Sequence, residues 1–244
     1  MSDVHSNLEA LEEALNHVDF DEVLCAGDVV DYGPDPLEVL TILQYVKAKR
    51  VLGNHDAAAA FRTDCRSSKA MHESSVVTRE LITWRFMPKP LLETLGKAAK
   101  VVHLDLDGLR VRMFHAAPED KLYKYITREE AAKMDMNGAD LVVLGHTHIA
   151  YEVKTSGTWV VNPGSVGMPA DGDPRASYAV LDTVSRSVTF GRVKYDIDAV
   201  VSKLDNRLGG RRDIFEIVSK ALKTGQPPAL QKPDSIRGGP PEEG

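Results

Sequence analysis

The segments EVLCAGD (residues 22–28) and RVLGNHD (residues 50–56) decide the fold, because each places a short apolar run directly before glycine and polar residues. Three later segments have the same form: VRMFHAAP (111–118), LVVLGHTH (141–148) and WVVNPGS (159–165). Short runs rich in Val and Leu that end in turn residues are typical of strands buried on both faces. The sequence therefore predicts a core of short strands with polar side chains at the strand ends.

Helical patterns lie between the first strands. Leu8, Leu11 and Leu15 repeat at helical spacing, and Ser6 with Glu9 has the form of a capping box that would begin this helix. Alternation of strand and helix over roughly the first 60 residues indicates right-handed βαβ units and a mixed or parallel sheet.

The second half of the chain follows a different pattern. Residues 101–116 alternate in polarity and turn at Asp107-Gly108, a dipeptide suited to a tight hairpin. The segments SYAVLD (177–182) and SVTFGRV (187–193) add strands with little helix between them. We therefore predict an α/β (α+β) fold, a four-layer αββα sandwich of two facing mixed sheets with flanking helices.

The chain has 244 residues, enough for one main domain. We expect that domain to span residues 1–197, with a helical insertion at about 57–100. Two amphipathic helices, separated at Gly209-Gly210, would pack on it over residues 198–225. The stretch 226–244 is rich in proline, glycine and charge, which predicts a disordered tail.

Composition excludes several classes of function. The net charge of −6 argues against a nucleic-acid backbone or an anionic membrane as partner. Cys25 and Cys65 are the only cysteines, so the chain has neither a disulfide framework nor a four-cysteine metal site. No apolar run has the length of a membrane span and no signal peptide precedes the first motif, so we expect a cytoplasmic protein.

Seven side chains have metal-ligating chemistry: five follow the apolar runs, where α/β sheets place their sites, and two precede the first helix. They are Asp3, His5, Asp28, Asn54, His115, His146 and His148. Carboxylate, imidazole and amide ligands suit Mn, Zn, Fe, Ni or Co better than Ca. Seven ligands suit two divalent ions that share one carboxylate, a pair that can clamp a phosphoryl group and deprotonate a bridging water. The alternative is a set of polar strand ends satisfied by ordinary hydrogen bonds.

The blocks SDVHSN, GDVVDYGP, GNHD, FHAAP and GHTH resemble, in order, the signature of the calcineurin-like metallophosphoesterases over about residues 1–170. NPGSVG and RASYAVLD resemble its small prokaryotic phosphodiesterase branch. The resemblance implies hydrolysis of phosphate esters, most often diesters, by a metal-bridging hydroxide. It assigns Asp3, His5 and His148 to one ion, Asn54, His115 and His146 to the other, and Asp28 to both.

The same resemblance assigns catalytic roles to two residues that are not ligands. His55 would stabilise charge at the phosphate and protonate the leaving oxygen, and Asp56 would orient its imidazole. Only Met1 and Ser2 precede Asp3, where the family has a strand of β-branched residues. We therefore hypothesise that the natural protein carries a further strand upstream.

Three functions remain open at this stage. The first is a phosphodiesterase for a small phosphate ester, the second a nuclease of the same fold, and the third a non-catalytic scaffold. The complete GNHD and GHTH blocks argue against the scaffold, and the lack of a basic stripe argues against the nuclease. The C-terminal helices would be available for contacts in a homo-oligomer.

Overall fold

The structure is a computed structural model that describes residues 1–136 and 138–228. The helices of these residues are α1 (Leu8–Asn16), α2 (Pro36–Tyr45), α3 (Asn54–Phe61), α4 (Lys69–Thr78), which continues into a π-helical turn (Arg79–Thr83), α5 (Trp84–Phe86), α6 (Lys89–Gly96), α7 (Arg128–Ala131), α8 (Ile197–Leu208) and α9 (Arg212–Thr224). The strands are β1 (Leu24–Cys25), β2 (Lys49–Arg50), β3 (Val102–Leu106), β4 (Leu109–Met113), β5 (Leu141–Val143), β6 (Ala150–Lys154), β7 (Trp159–Pro163), β8 (Ala176–Asp182) and β9 (Ser187–Val193). Among the described helices, none is long and apolar enough to cross a membrane.

The larger sheet has five strands in the order β3-β4-β5-β7-β6. Its three central strands are parallel, and the outer strands β3 and β6 pair antiparallel with their neighbours. The hairpin between β3 and β4 is confirmed at Asp107-Gly108, where both residues have positive φ (52° and 78°), as a type I′ turn requires. Buried Val, Leu and Met side chains of the sheet form the main core.

The remaining strands form two separate pairs, β1 parallel to β2 and β8 antiparallel to β9. Residues 1–3 lie between β1 and the segment 165–167. The Ala26 N–H donates to the Met1 carbonyl at 3.0 Å, and the Val166 N–H donates to the Ser2 carbonyl at 3.0 Å. An α/β fold with mixed sheets and flanking helices is confirmed, but the second sheet of the predicted sandwich is not continuous among the described residues.

A cavity of about 640 Å³ interrupts that second sheet beyond Met1. It lies between β1 and β8, with α1 on one side and the five-stranded sheet on the other. Its apolar lining includes Leu15, Val18, Leu24, Val143 and Val180.

Met1 already pairs with the second edge of β1, because its amine donates to the Leu24 carbonyl at 2.9 Å. The Ser177 N–H at the start of β8 donates to the Ser165 carbonyl at 3.0 Å. Within the described residues, the rest of the β8 edge that faces away from β9 has no strand partner.

Helix α1 begins one residue later than predicted. Its N-cap is Asn7, whose side-chain oxygen accepts from the Ala10 N–H at 3.1 Å, so the predicted capping box of Ser6 and Glu9 is wrong. Asparagine and serine are comparable N-caps, and the sequence pattern does not choose between adjacent ones. The Asn7 amide also donates to the Gly167 carbonyl at 2.9 Å, which ties α1 to the loop after β7.

The helical insertion and the C-terminal helices pack together. Residues 54–96 are mostly helical, and a cluster of buried side chains joins α4 and the π-helical turn to α8 and α9. Gly209 and Gly210, both at positive φ, separate α8 from α9. Most of the predicted disordered tail, residues 229–244, lies outside the described residues.

Candidate metal centre

The structure brings all seven predicted ligands together at the ends of the strands. Five of them have a left-handed backbone, with φ between 48° and 68°. These five are Asp3, His5, Asp28, His146 and His148. Non-glycine residues rarely adopt this conformation, and such strain is concentrated at functional sites where the surrounding structure enforces it.

The first cluster consists of Asp3, His5 and His148. The Nε2 atoms of His5 and His148 lie 3.1 Å apart, and His148 Nε2 is 3.5 Å from Asp3 Oδ1. Asp3 and His5 are buried, whereas the His148 side chain is 12% exposed, so the cluster opens to solvent on that side. Two imidazole nitrogens that face each other beside a carboxylate match the donor set of a divalent ion.

The second cluster consists of Asp28, His115 and His146, with the Asn54 amide beside it. His115 Nε2 lies 2.8 Å from Asn54 Oδ1 and 3.2 Å from Asp28 Oδ2. The Asn54 amide nitrogen donates to the Cys65 carbonyl at 2.8 Å, which turns the amide oxygen toward His115.

Asp28 stands between the two clusters. Its Oδ2 is buried without a hydrogen-bond partner, 3.2 Å from His115 Nε2 and 3.9 Å from His5 Nε2. Its Oδ1 accepts from the His55 N–H at 2.9 Å. A buried carboxylate oxygen without a partner is costly, and a cation between the clusters would remove that cost. The residues present therefore fit two divalent ions.

Backbone carbonyls orient all four ligand imidazoles, three of them through Nδ1. The Nδ1 atoms of His5, His115 and His148 lie 3.0, 2.7 and 2.7 Å from the carbonyls of Val30, Ala26 and Met168. Such a contact fixes a histidine that binds metal through its other nitrogen. His146 has the opposite ring orientation: its Nε2 lies 3.1 Å from the Tyr123 carbonyl, which leaves Nδ1 to bind metal.

Burial and neighbouring charges shift the pKa values of the predicted ligands in both directions. Burial lowers the pKa of His5 and of His146 well below its ordinary value. Burial raises the pKa of Asp28, but the imidazoles of His115 and His55 outweigh it and hold the pKa well below the usual range.

Two ligands shift the other way. Burial lowers the pKa of His115, but the Asp28 carboxylate outweighs it and raises the pKa to about 9, and burial raises the pKa of Asp3. Metal ions require neutral imidazole and ionised carboxylate, so binding would release protons from these two ligands.

The imidazole of His55 lies beside the first cluster, with its ring centroid 5.0 Å from that of His5. Its Nδ1 is 2.8 Å from Asp31 Oδ2. The structure therefore gives Asp31 the contact that we predicted for Asp56. The Asp56 carboxylate accepts instead from backbone N–H groups of Asp28, Val29 and Gly53, at 3.1, 2.8 and 3.2 Å, and so holds the Asp28 loop.

The sequence profile of the "Calcineurin-like phosphoesterase superfamily domain" matches residues 1–186. The chain belongs to the calcineurin-like phosphoesterase superfamily. It is 28% identical to an uncharacterized protein of Methanocaldococcus jannaschii over 228 residues, 85% of this chain and 92% of that protein. A crystal structure of a metallophosphoesterase from Sphaerobacter thermophilus is 28% identical, with a TM-score of 0.76 over 92% of this chain and 98% of that one. A hypothetical protein from Pyrococcus horikoshii OT3 shares the fold at 16% identity, with a TM-score of 0.79 over 93% and 97% of the two chains.

In this calcineurin-like phosphoesterase, sequence reasoning missed the partners of Asp31. Arg79, from the π-helical turn, forms a buried ion pair with Asp31, and Thr83 Oγ1 donates to Asp31 at 3.2 Å. Ser75 Oγ accepts from the Arg79 guanidinium at 2.6 Å and lies 3.4 Å from His55 Nδ1. These residues come from the helical insertion, and no motif in the sequence marks them.

Several other polar residues with potential chemistry lie outside the two clusters. Ser165 is buried in a turn, where its hydroxyl donates to the Asp3 carbonyl at 2.7 Å. Arg175 pairs with the neighbouring Asp173 on the surface. His17 and His103 are exposed, and His72 lies in the helical insertion on α4.

Proposed function

We propose that this phosphoesterase is a binuclear metal-dependent phosphodiesterase that hydrolyses small phosphate diesters. The observation that carries the proposal is the position of the buried Asp28 carboxylate between two clusters of carboxylate and imidazole, with Oδ2 3.2 Å from His115 Nε2 and 3.9 Å from His5 Nε2. When bound, a pair of divalent ions offsets the charge of the phosphate and activates water for in-line attack.

The proposed role of His55 is to move a proton to the leaving oxygen. Its Nδ1 is bound to Asp31, so Nε2 remains for the substrate. Asp31 is held in turn by Arg79 and Thr83, so the imidazole is oriented before substrate binds. A histidine oriented in this way is suited to general-acid catalysis.

Charge at the site supports a diester rather than a monoester. Among residues 1–136 and 138–228, no lysine or arginine forms an ion pair or hydrogen bond with a predicted metal ligand. Arg79, which contacts Asp31 beside His55, is itself neutralised by that carboxylate. A diester carries one negative charge, whereas a monoester carries up to two and would demand more positive charge from the protein.

The test compares hydrolysis of bis(p-nitrophenyl) phosphate with that of p-nitrophenyl phosphate, in the presence of added Mn²⁺, Ni²⁺ or Zn²⁺. We expect the diester to have the higher kcat/KM, and His55→Gln to reduce kcat by about 100-fold or more. The exposed His103→Gln is the matched control. No turnover with any ion would reject the proposal, and a preference for the monoester would reject its substrate class.

A further inference from the structure

A third group of potential metal ligands lies in the helical insertion, apart from the two clusters already described. Ligand atoms of Asp64, Cys65 and His72 all lie within 4.8 Å of one another. His72 Nδ1 and Asp64 Oδ1 lie 3.6 Å apart. The loop 62–68 therefore brings a carboxylate and a thiol against an imidazole on α4.

The three side chains differ in exposure in a way that suits ion binding. Cys65 is fully buried, whereas the side chains of Asp64 and His72 are 60% and 42% exposed. An ion can enter from solvent between the two exposed ligands and reach the sulfur beneath them.

The Cys65 sulfur lies 3.0 Å from Ser75 Oγ and 3.4 Å from Ser67 Oγ, and it also interacts with the Arg79 guanidinium and the His55 imidazole. These cationic neighbours favour the thiolate form that binds metal.

We propose that Asp64, Cys65 and His72 bind one borderline divalent ion of the Zn²⁺ type. Sulfur, imidazole nitrogen and carboxylate oxygen are the three zinc ligands found in proteins, and water would complete a tetrahedral set. Binding releases the thiol proton to solvent, since the thiolate is the ligand. The thiolate makes this site softer than the two clusters, which contain no sulfur ligand.

The position of Cys65 connects this site to the second cluster. The Cys65 carbonyl accepts from the Asn54 amide at 2.8 Å and so orients that predicted ligand. Arg62 and Arg66, on either side of Asp64 and Cys65, have positive φ (56° and 53°), so the loop is held in a strained conformation. An ion that ties this loop to α4 would fix the Cys65 carbonyl beneath Asn54. Ion binding here does not depend on the proposed hydrolysis.

The test uses Co²⁺ as the probe, because cobalt bound to thiolate gives a near-ultraviolet charge-transfer band that oxygen and nitrogen ligands do not give. Titration of the metal-free protein should produce a saturable band that corresponds to one Co²⁺ per chain. We expect Cys65→Ser to abolish the band and Cys25→Ala, at the other cysteine, to keep it. We expect His72→Ala to weaken the Co²⁺ affinity measured from the band by about 10-fold or more. Loss of a group that only hydrogen-bonds to a metal ligand already lowers metal affinity by about this factor.

His103→Ala, at an exposed histidine on β3, is the control for His72→Ala and should leave the titration unchanged. His72 is on the surface, so its variant keeps the test valid if a change at buried Cys65 impairs folding. A wild-type protein without the band at saturating Co²⁺ would overturn the proposal. So would a band of equal affinity in His72→Ala, because the imidazole would then not be a ligand.

Discussion

Asp31 and His55 form the residue pair on which the proposed chemistry depends. We expect Asp31→Asn to lower kcat by about 100-fold with little change in metal content, because Asp31 positions the imidazole but belongs to neither cluster. The variant also leaves the Arg79 guanidinium buried without its partner, which should cost about 3 kcal/mol of folding free energy. Steady-state kinetics, elemental analysis and denaturant unfolding measure the three effects.

Asp35→Asn is the control for Asp31→Asn. Asp35 is also buried, and pairs with Lys203 and Arg207 away from both clusters. We expect Asp35→Asn to lower the free energy of unfolding and to leave kcat unchanged. Equal losses of kcat in the two variants would show that Asp31 acts only through stability.

Gly53 is a second residue on which the centre depends. A Cβ at this position would lie 2.0 Å from Asp28 Oδ1, so Gly53→Ala must displace the carboxylate between the clusters. We expect the variant to bind fewer Mn²⁺ ions per chain than the wild type. Gly157→Ala, where a Cβ meets nothing within 4 Å, should bind the wild-type number. Full metal content in Gly53→Ala would contradict the placement of Asp28.

For single residues, the sequence was informative where the residue belongs to one of the five motif blocks. The five blocks contain all seven predicted ligands and His55, and the structure brings these residues together. Asp31 and Asp56 lie in the same blocks, yet which carboxylate meets His55 depends on loop conformation. Arg79 could not be found, because its contact with Asp31 spans 48 residues and depends on how the insertion folds back.

At the scale of elements, the cavity between β1 and β8 has the form of a strand position. It is lined by apolar side chains and bordered by β1, with which Met1 already pairs, and by the part of the β8 edge past Ser177, which has no strand partner among the described residues. Fusing a short segment rich in Val and Ile before Met1 should raise the melting temperature, because it would bury apolar surface, continue the pairing of Met1 with β1 and pair the free part of β8. A Gly/Ser segment of equal length is the control. Equal melting temperatures would show that the cavity does not accept a strand.

The elements themselves were predicted where local chemistry is decisive. The Asp107-Gly108 hairpin and the break at Gly209-Gly210 both follow from residues that accept positive φ. The start of α1 was displaced by one residue because Ser6 and Asn7 are both good caps. The discontinuous second sheet was not predicted, because strand pairing between distant segments leaves no local signal.

At the scale of the whole molecule, we expect the net charge of −6 to favour a small diester over DNA as substrate. We expect kcat/KM for bis(p-nitrophenyl) phosphate to change by no more than about 4-fold between 50 and 200 mM salt, as for a single phosphate contact. A protein that makes many backbone contacts with DNA would lose about 1,000-fold or more over this range. A preference for single-stranded DNA with such a steep salt dependence would favour the nuclease.

The most direct test of the account is the number of Mn²⁺ ions bound per chain, measured by elemental analysis of the wild type and of Asp28→Asn. Mn²⁺ suits the carboxylate and imidazole clusters and is disfavoured by the thiolate at Cys65, so the third site does not enter the count. We predict two ions in the wild type and in the Asp35→Asn control, and fewer than two in Asp28→Asn. One ion or none in the folded wild type, or two in Asp28→Asn, would contradict a binuclear centre shared through Asp28.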